Sequence, residues 1–233
     1  MDEWLALARG PLFRFTFAVM VLGLLRQVIV TVYSVVRAYR LTQHKKIAWA
    51  LTVVRTFDWL VPLRHLRRRW FYTAASILFH VGAIVTPLFL FGHIRLLESS
   101  VGISWPALPM DVADWLTLMT LAALFVLMVA RLTGSASRPL SRVQDYLVPL
   151  ILTVPFFTGY LIANPTINPL PHNPTLLVHM LSAEICFLII PFTKLVHMAL
   201  LPLTRLPADL AWRFPDEYPE AVVRQIGKEG QPI

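Results

Sequence analysis

The chain has 233 residues, of which 57% are hydrophobic and 15% charged, and its net charge is +8. A soluble domain is about 45–50% apolar and about 25% charged, so this composition argues against a water-soluble globule. The single cysteine, Cys186, excludes an intrachain disulfide, covalent haem attachment through paired cysteines, and a four-cysteine iron–sulfur site.

Five apolar stretches are long enough to cross a bilayer, which takes about 20 residues per helix. The sequence therefore predicts an all-α membrane protein with five transmembrane helices. One transmembrane domain covers residues 1–203, and a tail covers 204–233. In chain order, the predicted spans are Leu12–Val36, Tyr72–Leu97, Val112–Leu132, Gln144–Ala163 and Thr175–Leu203.

Basic residues predict the orientation, because cytoplasmic loops are enriched in Lys and Arg. Loop 37–71 is the most basic, Arg138 and Arg142 lie in the third loop, and the loop from Asn164 to Pro174 has no Lys or Arg. We expect a periplasmic N-terminus and a cytoplasmic C-terminus in a bacterial or archaeal cytoplasmic membrane. The orientation then accounts for the net positive charge, which does not require a nucleic-acid partner. The basic residues of the first loop are Arg37, Arg40, Lys45, Lys46, Arg55, Arg64, Arg67, Arg68 and Arg69.

Within that loop, residues 47–63 alternate apolar and basic side chains. This pattern is typical of a helix on the membrane surface or of a segment that docks a cytoplasmic partner. A solvated loop is the other interpretation.

Four of the seven histidines lie in two of the predicted spans: His80 and His93 in the second, His179 and His197 in the fifth. Ionisable side chains in a membrane indicate function, although a histidine can also simply brace a neighbouring helix. The two spans run in opposite directions, so His80 and His197 lie towards the cytoplasm and His93 and His179 near the outer surface.

Two imidazoles that face each other at one depth can hold a haem iron from both sides. This predicts an inner haem on His80 and His197 and an outer haem on His93 and His179, whereas zinc would need three or four ligands at one point. His179 and His197 are five helical turns apart and share a face of an ideal helix. His80 and His93 differ by about 140°, and Pro87 between them can change the winding.

Several charged residues could serve such haems. Glu184, five residues after His179, is a candidate for a structural hydrogen bond, for pairing with Arg26, or for proton exchange with a quinone. Basic side chains near haem can bind its propionates, and snorkelling to the interface is the alternative. The candidates are Arg26, Arg95, Arg131 and Lys194.

The motifs Phe79-His80-Val81-Gly82 and Gly92-His93, with His179 and the run from Pro191 to His197, resemble the membrane cytochrome b (gamma) subunit of respiratory nitrate reductase. The same superfamily includes the membrane subunit of heterodisulfide reductase, which the long first loop resembles more closely.

This resemblance implies a dihaem cytochrome b whose four histidines are the iron ligands. It would exchange electrons between membrane (mena)quinone and a cytoplasmic iron–sulfur subunit, as one part of an oxidoreductase complex rather than a complete enzyme. The resemblance also places the quinone near Gly92 and His93. The alternatives are a cofactor-free membrane anchor or proton-relaying transporter subunit, and a cytochrome with one haem, on His80 and His197.

Overall fold

The structure is a computed structural model that describes residues 1–41, 54, 70–135, 137–200, 203, 223–224 and 227. These residues are mostly helical, with short connections between the helices and no strand among them. The amphipathic segment predicted over 47–63 and the tail predicted over 204–233 lie outside the described residues, apart from isolated positions.

The helices begin and end as follows. The first is continuous, with α1 (Asp2–Leu7), a π-helical turn (Ala8–Leu12) and α2 (Phe13–Leu41). Then come α3 (Trp70–Phe89), α4 (Phe91–Val101), α5 (Met110–Thr133), a 3-10 turn (Arg138–Leu140) and α6 (Gln144–Ala163). The last are α7 (His172–Ile189) and the 3-10 turns Ile190–Phe192 and Lys194–Val196.

Five of these helical stretches are long and apolar enough to cross a membrane. The prediction of an all-α protein with five membrane-spanning helices is therefore confirmed to that extent, and the chain has the helices of a multi-pass membrane protein. The stretches are Asp2–Arg37, Trp70–Phe89, Met110–Thr133, Gln144–Ala163 and His172–Phe192.

Two of the predicted spans, the second (Tyr72–Leu97) and the fifth (Thr175–Leu203), are interrupted in the structure. The second ends at Phe89, because Leu90 is extended (φ −74°, ψ 130°) and a new helix, α4, follows it. The fifth leaves the α conformation after Ile189, and Thr193 is extended between its two 3-10 turns. The expectation that His179 and His197 share one helix face is therefore wrong, because that expectation needs five unbroken turns.

The chain divides into two compact units. The first contains Met1–Gly23 and Pro62–Leu195, and the second contains Leu24–Val61 and Val196–Ile233. In the first unit, α3 packs on α5, α5 on α6 and α6 on α7. The second unit includes most of α2, which carries Arg26, and the short helical segment that begins at His197.

Within the first unit, the N-terminal helix runs along α7 in the same direction. Leu5 and Ala8 pack against Met180, and the Phe13 ring lies 6.1 Å from the ring of Phe187. Parallel contact of this kind is expected for the first and fifth spans of a five-span protein, because both cross the membrane in the same direction.

Candidate functional site: a facing histidine pair

The structure brings His93 of α4 and His179 of α7 together. Their ring centroids are 5.9 Å apart and their planes are within 9° of parallel. Both residues belong to the first unit, and both side chains are half-buried. Two residues that are 86 positions apart in the sequence thus form one site.

The end of α3 positions His93. A helix leaves its last four carbonyl groups without intrahelical donors, and here each one is satisfied. The amide of Leu90 donates to Thr86 (3.0 Å) and the amide of Leu108 to Phe89 (2.9 Å). The Trp105 indole N–H donates to the carbonyl of Leu88 (2.8 Å).

The fourth of these carbonyls belongs to Pro87, and it lies 2.9 Å from Nδ1 of His93. In an uninterrupted helix the amide of Phe91 would use this carbonyl. The break at Leu90 turns that amide away, so the imidazole of His93 takes its place. The helix break therefore orients the histidine.

Helix α6 positions His179 in a similar way. The Nδ1 atom of His179 lies 2.9 Å from the carbonyl oxygen of Pro155 and 3.4 Å from the hydroxyl of Thr158. Gly159 leaves the space for the ring, because a Cβ atom there would lie 3.0 Å from Cε1 of His179.

These hydrogen bonds decide which nitrogen can bind a metal. A carbonyl oxygen only accepts, so Nδ1 of each imidazole carries the hydrogen and donates it. The other ring nitrogen, Nε2, keeps its lone pair. Metal-binding histidines usually have this arrangement, with the remaining N–H held by a carbonyl or carboxylate.

The separation of the two rings is close to that of two imidazoles that share one iron. Metal–imidazole bonds are about 2.0–2.1 Å long, so two imidazoles on opposite sides of one iron have centroids about 6 Å apart. The observed 5.9 Å agrees with that spacing. Among the described residues, no group of three or more His, Cys, Asp or Glu could hold a metal ion.

The other two predicted ligands lie in different units, His80 in the first and His197 in the second. Nδ1 of His80 donates to the carbonyl of Ser76 at 2.7 Å. The inner haem on these two residues stays a prediction.

The four cations predicted to meet haem propionates have different environments. Lys194 lies 2.6 and 2.7 Å from the two carboxylate oxygens of Asp145, and Arg131 lies 3.9 Å from the same carboxylate. Arg95 pairs with Glu98 at 3.0 Å. Arg26 is exposed on α2.

Gly92 and Glu184, the predicted quinone residues beside His93, lie in different surroundings. Gly92 borders open space, because a Cβ atom added there would meet no neighbouring atom within 4 Å. Glu184 is 4% exposed and lies about 140° around α7 from His179, as the five-residue separation dictates. The structure therefore places Glu184 on a different helix face from the histidine pair.

Sequence reasoning identified both histidines and missed their supports. Pro155, Thr158 and Gly159 lie on α6, which carries no histidine. The sequence does show a proline and a glycine inside this apolar span, Pro155 and Gly159, which lie about one helical turn apart. Neither shows which side chain uses the space.

Over 164 residues the chain is 35% identical to a protein of Nitratidesulfovibrio vulgaris strain Hildenborough, and the match covers 70% of this chain and 71% of that one. The name of that protein states no function. No protein-family model matches the chain, and no solved structure matches it. Identity at this level over more than two thirds of both chains shows that this chain belongs to the same family as the Nitratidesulfovibrio vulgaris protein.

Proposed function

We propose that this chain is the membrane cytochrome b subunit of a respiratory oxidoreductase complex. It would carry electrons between a membrane quinone and a cytoplasmic iron–sulfur partner. The observation that carries the proposal is the pair His93 and His179, with parallel rings 5.9 Å apart. Each ring is held through Nδ1 by a backbone carbonyl.

The residues of this pair would hold haem b through their two Nε2 atoms. When bound, the haem supplies a one-electron iron couple. The chain itself supplies orientation, because the carbonyls of Pro87 and Pro155 fix the imidazoles and keep Nδ1 protonated. A second haem would be held by His80 and His197, as the sequence predicts.

The wider assignment is supported by the sequence. The resemblance to the nitrate reductase gamma and heterodisulfide reductase membrane subunits covers the motifs around all four histidines. The basic first loop and third loop favour a periplasmic N-terminus. One cysteine in the chain means that any iron–sulfur cluster belongs to a partner.

The test is a reduced-minus-oxidised visible spectrum of the purified protein, with haem quantified per chain. We expect b-type absorbance and two haems in the wild type, and one haem in His93→Ala and in His179→Ala. His172→Ala is the matched control, because His172 is exposed at the first turn of the same helix as His179.

Absence of b-type absorbance in the wild type would contradict the proposal and favour the cofactor-free anchor or transporter subunit. One haem in the wild type, retained in both variants, would restrict haem binding to His80 and His197.

A further inference from the structure

Glu184 has a buried carboxyl group with no hydrogen-bond partner among the described residues. The residue is 4% exposed, and both of its carboxyl oxygens are unsatisfied within that part of the chain. Leaving a buried polar group unsatisfied is destabilising. Such a group in a native structure therefore calls for an explanation.

The carboxyl faces the N-terminal helix. Met180, Glu184 and Phe187 are spaced i, i+4, i+7 and so share one face of α7. Met180 packs against Leu5 and Ala8 at one end of this face, and Phe187 contacts the rings of Phe13 and Phe17 at the other. Glu184 lies between these contacts, at the level of the π-helical turn Ala8–Leu12.

The π-helical turn itself is irregular because of Pro11. Proline has no N–H and cannot continue the α-helical bonding pattern. The turn widens, and the amide of Phe13 donates to the carbonyl of Ala8, five residues back. Single π turns of this kind occur frequently at functional sites.

No cation faces Glu184 from the described elements that pack on α7. On the N-terminal helix, Arg9, Arg14 and Arg26 are exposed, and the predicted pairing of Glu184 with Arg26 is not seen, because neither carboxyl oxygen has a hydrogen-bond partner among the described residues. On α6, the charged residue is Asp145 in the first turn, which Lys194 binds. On α7 itself, His179 faces α6. An ionised Glu184 would be an uncompensated buried charge, which is strongly destabilising, and the neutral carboxyl that avoids this cost has an O–H to donate.

A neutral donor in apolar surroundings is complementary to a neutral acceptor that dissolves in lipid. A quinone headgroup has two carbonyl oxygens on an apolar ring, and it meets both requirements. A metal cation meets neither requirement, because it is charged and strongly hydrated; among the described residues, no group of three or more His, Cys, Asp or Glu could hold one.

We propose that Glu184 donates its O–H to a carbonyl oxygen of a membrane quinone whose headgroup enters between α7 and the π-helical turn. This inference rests on the proposed quinone-linked function. The rise between Glu184 and His179 is about 7.5 Å along the helix, so the headgroup would lie about one and a half helical turns from the level of His179, on another face of α7.

The first experiment measures the dissociation constant of a short-chain, water-soluble quinone for the purified protein, by quenching of tryptophan fluorescence. We expect Glu184→Leu to bind about tenfold more weakly, as the loss of about 1.4 kcal/mol implies. Glu184→Gln retains N–H donors and should stay within about threefold of the wild type. Glu98→Leu is the control, because Glu98 is exposed and paired with Arg95.

The second experiment needs no variant. Dicyclohexylcarbodiimide reacts with neutral carboxyl groups in apolar surroundings, and mass spectrometry locates the product. We expect labelling at Glu184 that falls several-fold when the quinone is present. Equal labelling with and without quinone, or wild-type affinity in Glu184→Leu, would overturn the inference.

The experiments can refute the proposed electron-transfer function and the proposed role of Glu184 independently of each other. Glu184→Leu should keep two haems per chain, because Glu184 is not on the face of the histidine pair. A wild-type protein that lacks haem but binds the quinone through Glu184 would refute the proposed electron transfer alone. A haem-containing protein that fails to bind the quinone would refute this inference alone.

Discussion

The absence of a side chain at residue 159 allows His179 to lie against α6. A Cβ atom there would lie 3.0 Å from Cε1 and 3.2 Å from Nδ1 of His179, closer than atoms pack in ordinary contact. The ring cannot simply swing away, because its Nδ1 is held by the carbonyl of Pro155 at 2.9 Å. Gly159 therefore leaves the space that the imidazole occupies, and the Pro155 carbonyl fixes the orientation of the ring.

We predict that Gly159→Ala weakens haem binding at the His93–His179 site. Alanine is favoured over glycine in a helix by about 1 kcal/mol, but overpacking costs about 1–3 kcal/mol. Disturbing a partner of a metal-binding histidine typically lowers affinity by about 10–100-fold. The measurement is haem retained per chain after titration with a competing haem-binding protein.

Val154→Ile is the control for this prediction. It adds one methylene to the same helix at an exposed position and should leave haem retention unchanged. Equal retention in Gly159→Ala and Val154→Ile would show that His179 accommodates the methyl group and that Gly159 has no positioning role.

At the scale of helices, the packing of α3 on α5 depends on a glycine facing a threonine. A Cβ atom at Gly82 would fall on Oγ1 of Thr120. Thr120 is fully buried, and its hydroxyl donates to the carbonyl of Leu116 at 2.6 Å. Small residues at such contacts let two membrane helices approach closely.

We predict that Gly82→Ala destabilises the protein and that Thr120→Ala partly reverses the loss. Overpacking should lower the free energy of unfolding by about 1–3 kcal/mol. Residues in direct contact show coupling energies of about 0.5–3 kcal/mol, so the double variant should be more stable than the sum of the single effects. Thermal unfolding in detergent measures all three variants, and strictly additive effects would contradict the prediction.

Hydropathy was sufficient to find the helices, because about 20 apolar residues are needed for each crossing. It could not find the break at Leu90, since the groups that satisfy the end of α3 come from Trp105 and Leu108, in the next loop. A proline can alter helix winding, yet α3 continues through Pro87. Because the second and fifth spans run in opposite directions, the sequence was enough to predict that His93 and His179 lie at the same depth. The supports on α6 depend on tertiary contacts that no sequence pattern shows.

At the scale of the whole molecule, the same charge pattern that predicts orientation also separates the two ends of the bundle. The ion pairs of Asp145 with Lys194 and Arg131 lie at one end, where α5 ends and α6 begins. His93 lies on α4, in the connection that follows the second span, and His179 pairs with it from α7. If the basic loops are cytoplasmic, the His93–His179 site is near the outer surface.

We predict that a cysteine introduced at Ile103 is accessible from outside the cell and one at Leu140 is not. Both positions are exposed, at 56% and 83%, in connections on opposite sides of α5. The native Cys186 is buried, so it should give little background with a membrane-impermeant maleimide. We expect Ile103→Cys to be labelled in spheroplasts and Leu140→Cys only after permeabilisation. Labelling of Leu140→Cys alone in intact spheroplasts would show that the orientation is the reverse of the predicted one. The histidine pair would then lie on the cytoplasmic side, because α5 crosses the membrane between the two positions.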